Sequence, residues 1–330
     1  MPETPSRTDP TGQALPYDGS VSVVSTTRPA TVPGRIWLYL REMYPIGSRL
    51  LVSAIIFFEI YFVLLLNYGV TDFHIGAPEA VGTWTVFCFL LALRIADDLK
   101  DAETDARLFP HRVLPSGRVD RRDLWVLLGI VVAPTTVLNA VYLNNLPFFI
   151  VLFLYGTVMS MWFFAKARIQ PNLFLALLTH NPVMMVLNLY VISYGVIAYG
   201  LDPWTWTTFL LAWTMYFPSL IWEVVRKVRA PREETAYVTY SSLWGYRPAA
   251  RFVLLLIWLD ILTNLSLVFA VSRLAMIPLT VNVLWVTWTI LRWVRQPESF
   301  RLRERVDRYT YIVEGLMVVA VVVFLTLGYY

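Results

Sequence analysis

The chain has 330 residues, of which 57% are hydrophobic and only 15% charged, with a mean hydropathy of +0.58. That balance excludes a soluble globular protein and points to repeated apolar segments long enough to cross a bilayer. The net charge of +4 marks no nucleic-acid partner, and the single cysteine, Cys88, excludes an intrachain disulfide.

In chain order, residues 1–34 are rich in Thr, Ser, Pro and Gly without apolar periodicity and read as a disordered tail. No apolar h-region lies near the start and no lipidation motif is present, so neither a cleaved signal peptide nor a lipid anchor is expected. Arg35 to Arg49 is partly amphipathic and is expected to lie at the membrane interface. From there on a single membrane domain, residues 35–330, is expected. Nine spans are predicted, at roughly 49–70, 81–99, 123–143, 147–165, 172–199, 204–222, 249–270, 273–293 and 311–329. The runs are too long and too continuous for the alternating strands of a barrel, so the fold class is all-α and polytopic. With these spans, all Lys and Arg residues except Arg273 fall in the tail or in connections on one side. The positive-inside rule then places the N-terminus in the cytoplasm and the C-terminus outside.

Two charged clusters stand at the predicted cytoplasmic ends. The first runs from Arg94 through Asp97, Asp98, Asp101 and Asp105, followed by His111-Arg112-Val113-Leu114-Pro115-Ser116-Gly117-Arg118. On a helix turning about 100° per residue, the four aspartates share one arc. Carboxylates at the foot of a membrane helix are costly and default to a functional reading. A hard divalent cation bridging to phosphates is the usual remedy for their mutual repulsion. The plain alternative is an acidic helix end neutralised by Arg94, Lys100 and Arg107. The second cluster follows the sixth span, where Glu223, Arg226 and Lys227 again share an arc if the helix continues. A basic membrane anchor with incidental acids is the alternative there.

These residues resemble the UbiA superfamily of intramembrane prenyltransferases, which includes terpene cyclases. The family's first motif, Asn-Asp-x-x-Asp-x-x-x-Asp, is matched by Asp97, Asp98, Asp101 and Asp105. Its Lys-Arg-Pro-Leu-Pro-Ser-Gly-Arg loop is matched by His111 to Arg118, and its early Arg and Pro-Ile-Gly by Arg41 and Pro45-Ile46-Gly47. The resemblance implies a helical barrel around an apolar chamber, with an isoprenyl diphosphate held head-first between the two charged clusters. It further implies Mg²⁺ on Asp98, Asp101, Asp105 and Glu223, with Asp97 at the family's Asn position. Arg112, Lys166 and Arg41 are carried over as substrate contacts. Arg226 and Lys227 stand where the rest of the second motif's acids would be. A Lys ammonium is a compact charge able to take a cation's place near phosphate. One Mg²⁺ site is therefore expected to be weakened or replaced by these two residues.

The expected activity is transfer of a prenyl group to an aromatic or lipidic acceptor. The alternative within the same fold is a terpene cyclase, which needs no acceptor. A transporter is the reading from a different class. Against it, the motif acids lie at the span ends and no inverted repeat is evident. Of the remaining polar residues, His180-Asn181-Pro182 and Asn188 enter the fifth span, where they must face a cavity or the protein interior. Asn181 is taken as a substrate contact, with an interhelical hydrogen bond or a Pro kink as the alternative. Tyr237 to Gly245 reads as a cap over the chamber or as a polar connector. His74 is expected on the far side, without a role. Zinc spacings, a P-loop and a nucleophile elbow are absent.

Overall fold

The computed structural model describes residues 28–235 and 237–327. Most of the predicted N-terminal tail therefore lies outside the described residues. The described chain is all helical. Helix α1 spans Val32–Met43, taking in the last three residues of the predicted tail, and is capped by the Thr31 hydroxyl, which accepts from the Gly34 amide at 3.3 Å. Arg28, just before it, donates to Asp120 at 2.6 Å. The predicted interfacial segment 35–49 divides at Pro45, which cannot donate to the preceding turn, and α2 (Ile46–Asn67) starts beyond it.

Among the described residues, eight helical stretches are long and apolar enough to cross a membrane. They are α2, α3 (Ala77–Lys100), α5 (Arg121–Tyr142), the pair α8 (Leu173–His180) and α9 (Val183–Tyr199), the pair α10 (Trp206–Thr214) and α11 (Phe217–Val225), α13 (Tyr246–Val271), the stretch Arg273–Arg295 that contains α14 (Met276–Arg295), and α15 (Leu302–Leu327). Short helices α4 (Ala102–Leu108), α7 (Lys166–Ile169) and α12 (Tyr240–Trp244) lie in the connections. The predicted fourth span is α6 (Leu146–Ser160), only 15 residues long. It ends early because Trp162, Phe163 and Phe164 all have positive φ, at 55°, 49° and 58°, which turns the chain left-handed.

The fifth and sixth predicted spans are each broken. Pro182 lacks the amide that would continue α8, so the helix restarts at Val183. Pro218 sits in the first turn of α11, where a missing amide costs nothing. Both breaks place backbone and polar side chains inside the bundle. Asp101 similarly ends α3 and begins α4, so the predicted continuous acidic helix bends there.

The large core joins α2, α6, α9, α11, α13, α14 and α15 around Phe57, Tyr61, Leu187, Ile257 and Trp293. A smaller core packs α1 on α3 and α5 through Leu38, Tyr39, Phe87, Ile95 and Leu124, with Val113 and Val119 from the loop. Side chains such as Ile130, Val141, Ile150 and Leu154 point outward and are more than half exposed, as a lipid-facing surface requires. Acids also occur in mid-span: Asp260 accepts from Tyr309 and Asn264, each at 2.9 Å, which ties α13 to α15, and Glu59 is buried on α2. The sequence reading placed the chain's telling acids only at span ends.

Candidate active site

Both charged clusters open onto one cavity of about 650 Å³. The last two turns of α3 contribute Arg94, Asp97, Asp98 and Lys100, its junction with α4 contributes Asp101, and α4 contributes Asp105. The end of α11 contributes Trp222, Glu223, Arg226 and Lys227 from the opposite side. Leu93, Met159, Leu177, Val183 and Met184 form an apolar floor beneath them. The break between α8 and α9 supplies His180 and Asn181, and the left-handed turn supplies Trp162. Of the residues singled out in the sequence, Asp97, Asp98, Asp101, Asp105, Arg112, Asn181, Glu223, Arg226 and Lys227 thus meet around one space.

Arg41 and Lys166 are not among the lining residues. Arg41 lies exposed in the last turn of α1, while Lys166 is exposed at the start of α7. Lys166 still acts on Asp101 electrostatically. Glu233 and Glu234, in the connection after α11, do not line the cavity: Glu233 accepts from the Ala230 amide at 3.3 Å, and Glu234 accepts the Thr239 hydroxyl at 2.8 Å. Tyr237 lines the cavity's edge and α12 follows it, so this segment borders the site. His74 is exposed and remote from the cavity, and Cys88 is buried and free.

On the α3 wall, each acid but one has a basic partner. Asp98 accepts from Arg94 at 2.7 Å and from the buried Tyr39 hydroxyl at 2.7 Å. Lys100 pairs with Asp97 at 2.8 Å, and Arg112 with Asp105 at 2.9 Å. The plain alternative of an acidic end neutralised by Arg94 and Lys100 is therefore part of the arrangement. Asp101 alone of the four has no ion-pair partner among the described residues. Burial lifts its carboxyl above the ordinary value, the positive charges of Lys100 and Lys166 pull the other way, and Asp97 and Asp105 push with burial.

Arg112 is placed by its loop. Gly117 has φ +73°, a conformation that favours glycine, and the Val119 amide returns to the Val113 carbonyl at 3.1 Å. Arg118 clamps the loop from below, donating to Glu42 at 2.8 Å, to the His111 carbonyl at 2.9 Å and to Ser116 at 3.1 Å. The Leu-Pro-Ser-Gly-Arg stretch thus supports the loop, and Arg112, just before it, reaches the cavity and Asp105. On the α11 wall, Glu223 holds Arg226 at 2.5 Å with one oxygen and Lys227 at 2.9 Å with the other. Both pairings arise although α11 ends at Val225, because the following residues stay in a helical turn.

Among the described residues, no three acidic, His or Cys side chains converge as a ready cation cage. The donor chemistry nevertheless fits Mg²⁺ held in part by substrate, since this ion ordinarily takes one or two carboxylates and completes its shell with phosphate and water. The charge count points the same way. Asp97, Asp98, Asp101, Asp105 and Glu223 balance Arg94, Lys100, Arg112, Arg226 and Lys227, so the lining is formally neutral.

Sequence reasoning missed Arg94 and Lys100 as site residues in their own right, and it missed Trp162, whose ring lies 4.9 Å beneath the Lys100 ammonium. Arg94 and Lys100 stand in the acidic motif itself and were read only as counter-charges. Nothing in the sequence announces the left-handed turn that presents Trp162.

No family model and no curated protein matches the sequence. Among solved structures, the fold is similar to that of digeranylgeranylglyceryl phosphate synthase. The TM-score is 0.62, over 88% of this chain and 98% of that one, at 15% sequence identity. The similarity is one of fold, and it agrees with the architecture implied by the Asp97–Asp105 motif and its loop.

Proposed function

We propose that the chain is a membrane-embedded enzyme that ionises an isoprenyl diphosphate and transfers the prenyl group to an acceptor. The observation that carries this reading is the single cavity in which two charged walls face each other over an apolar floor. An isoprenoid diphosphate has the same division: a head that seeks cations and basic donors, and a tail that seeks hydrocarbon. Arg112, Arg226 and Lys227 are the donors for the head, with Arg226 and Lys227 aimed by Glu223. Asp101, with Asp98 and Asp105, would hold Mg²⁺, which when bound neutralises charge building on the departing diphosphate. Glu223, expected as a further metal ligand, gives both oxygens to basic partners and serves here as their anchor.

In the reaction, the allylic carbon–oxygen bond breaks and its electron pair leaves with the diphosphate. An electron pair of the acceptor then forms the new bond to that carbon, and the acceptor's proton is lost to a diphosphate oxygen or water. The apolar floor keeps water from the intermediate cation. The one-sided basic residues support a site at the cytoplasmic face.

The test uses membranes containing the full chain, incubated with labelled C10, C15 and C20 prenyl diphosphates and Mg²⁺. Diphosphate release coupled to an adduct, seen only when membrane lipid or aromatic extract is supplied and absent in Asp101→Ala, is the expected result. A cyclic hydrocarbon or alcohol without acceptor would replace transferase by cyclase. Absence of turnover under both conditions would overturn the enzyme reading.

A further inference from the structure

A second cavity, of about 770 Å³, lies between α3, α5 and α6, and the proposed chemistry makes no use of it. Its walls are made of small and apolar residues, including Ala96 on α3, Gly129 on α5 and Gly156 on α6. A Cβ added at Gly129 meets nothing within 4 Å, so the space beside α5 is open. Trp125, on the same wall, is 62% exposed on the lipid-facing surface. On α3 the groove extends from Phe89 to Lys100, which is about 16 Å of helix. It is therefore a lateral groove that begins at the charged end of the bundle and runs toward its middle.

The groove and the polar cavity share Leu93 and Lys100. They also meet across consecutive residues of the left-handed turn, Met161 facing the groove and Trp162 the cavity. Leu93 and Lys100 therefore stand at the boundary between the two spaces. At this point Lys100 pairs with Asp97 and rests on the Trp162 ring. The indole Nε1 of Trp162 is buried without a hydrogen-bond partner among the described residues, as are Nε2 of His180 and Oδ1 of Asn181 on the same side of the cavity. Buried polar atoms without partners are costly and are uncommon in a finished interior. The Trp162 and His180 rings stand 4.8 Å apart, and Asn181 follows His180 in the chain.

We propose that the groove seats the hydrocarbon chain of the acceptor, a membrane-borne amphiphile whose polar head passes Lys100 and Trp162 into the cavity. This rests on the reading that the polar cavity takes the prenyl diphosphate. The donor's tail already has the floor formed by Met159, Leu177 and Met184 beneath the charged walls, whereas the groove opens sideways to the bilayer from the other flank of α3. The acceptor class is thus a long-chain lipid and not a small soluble aromatic acid. Its head meets an ammonium, an indole N–H and an imidazole, which suits a hydroxyl or anionic group.

The experiment uses the full chain in phosphatidylcholine–phosphatidylglycerol vesicles and a diazirine-bearing long-chain alkyl glycerol, which has neither a prenyl group nor a phosphate, as the probe. Binding of a C15 prenyl diphosphate is measured in parallel on the same preparations. The probe is expected to label α3, α5 or α6 saturably, with competition by unlabelled amphiphile. Gly129→Trp and Ala96→Leu, which fill the groove from opposite walls, should each cut labelling at least fivefold and leave prenyl diphosphate binding unchanged. Gly129→Ala should label normally. Non-saturable labelling equal to that of a diazirine phosphatidylcholine would mean passing bilayer lipid only and overturns the proposal. So does loss of prenyl diphosphate binding in both groove variants, which would make the groove the donor's seat. If the unaltered chain binds no prenyl diphosphate, the proposed function itself fails, whatever the groove binds.

Discussion

Asp101 carries the sharpest prediction at the scale of single residues. Its neighbours Asp97, Asp98 and Asp105 are each tied to a cation of the protein, so replacing one of them disturbs an ion pair as well as a ligand. Asp101→Asn removes a charge and leaves those pairs in place. Activity in the prenyl diphosphate assay should fall by about 100-fold or more, the scale on which a single electrostatic contact acts in catalysis. Folding should be unchanged, as judged by thermal unfolding in detergent. Lys227 offers the complementary test. Its side chain is only 12% exposed and points at Glu223, in the place where the related motif carries an acid. Lys227→Asp sets two carboxylates side by side and should make activity depend on a higher Mg²⁺ concentration. An unchanged Mg²⁺ dependence would show that Lys227 does not take a cation's place.

Among the elements, α2 and α3 are joined by a close approach that the sequence signals only through a glycine. A Cβ on Gly82 would lie 2.2 and 2.6 Å from ring atoms of Phe57, which is fully buried and stacked on Tyr61. A ring in that position cannot swing aside, so Gly82→Ala should destabilise by about 1–3 kcal/mol. Gly195 on α9 gives the contrast. Its added Cβ meets only the Cδ2 of Leu64, at 2.6 Å, and the tip of a leucine can rotate away. Gly195→Ala should lower the melting temperature less than Gly82→Ala in the same detergent. The breaks in α8–α9 and α10–α11 were foreshadowed by Pro182 and Pro218, because proline interrupts the backbone ladder by its own covalent structure. The early end of α6 was not, since Trp162, Phe163 and Phe164 carry no local preference for left-handed backbone.

At the scale of the whole molecule, every charged part of the site lies at one end of the bundle, and the basic residues predict that this end is cytoplasmic. Because Cys88 is fully buried, cysteines introduced elsewhere report without interference. Ser299→Cys, between α14 and α15, should react with a membrane-impermeant maleimide only after the membrane is opened. Asp202→Cys, between α9 and α10 at the opposite end, should react in intact cells. The reverse pattern would invert the orientation and move the site to the other face. The internal ties run the length of the bundle. Glu79 accepts from the hydroxyls of Tyr61 and Tyr194 at the end away from the site, and Asp260 with Tyr309 ties mid-span. These acids are satisfied by neighbours, which explains how they stand in a membrane without a catalytic duty.

The sequence by itself determined the all-helical membrane class, most of the span positions, and the acids and bases of both charged clusters. Hydropathy over some 20 residues and the spacing of charges are local properties, legible without knowing what packs where. The tertiary structure alone decided which charges neutralise each other, leaving Asp101 free and turning Glu223 toward its own Arg226 and Lys227. It also decided that Arg41 and Lys166 stay outside the cavity, and that a lipid-facing groove meets the site behind Lys100 and Trp162. Those outcomes depend on where α3, α6 and α11 converge, and contacts between residues so far apart in the chain leave no periodic trace in it.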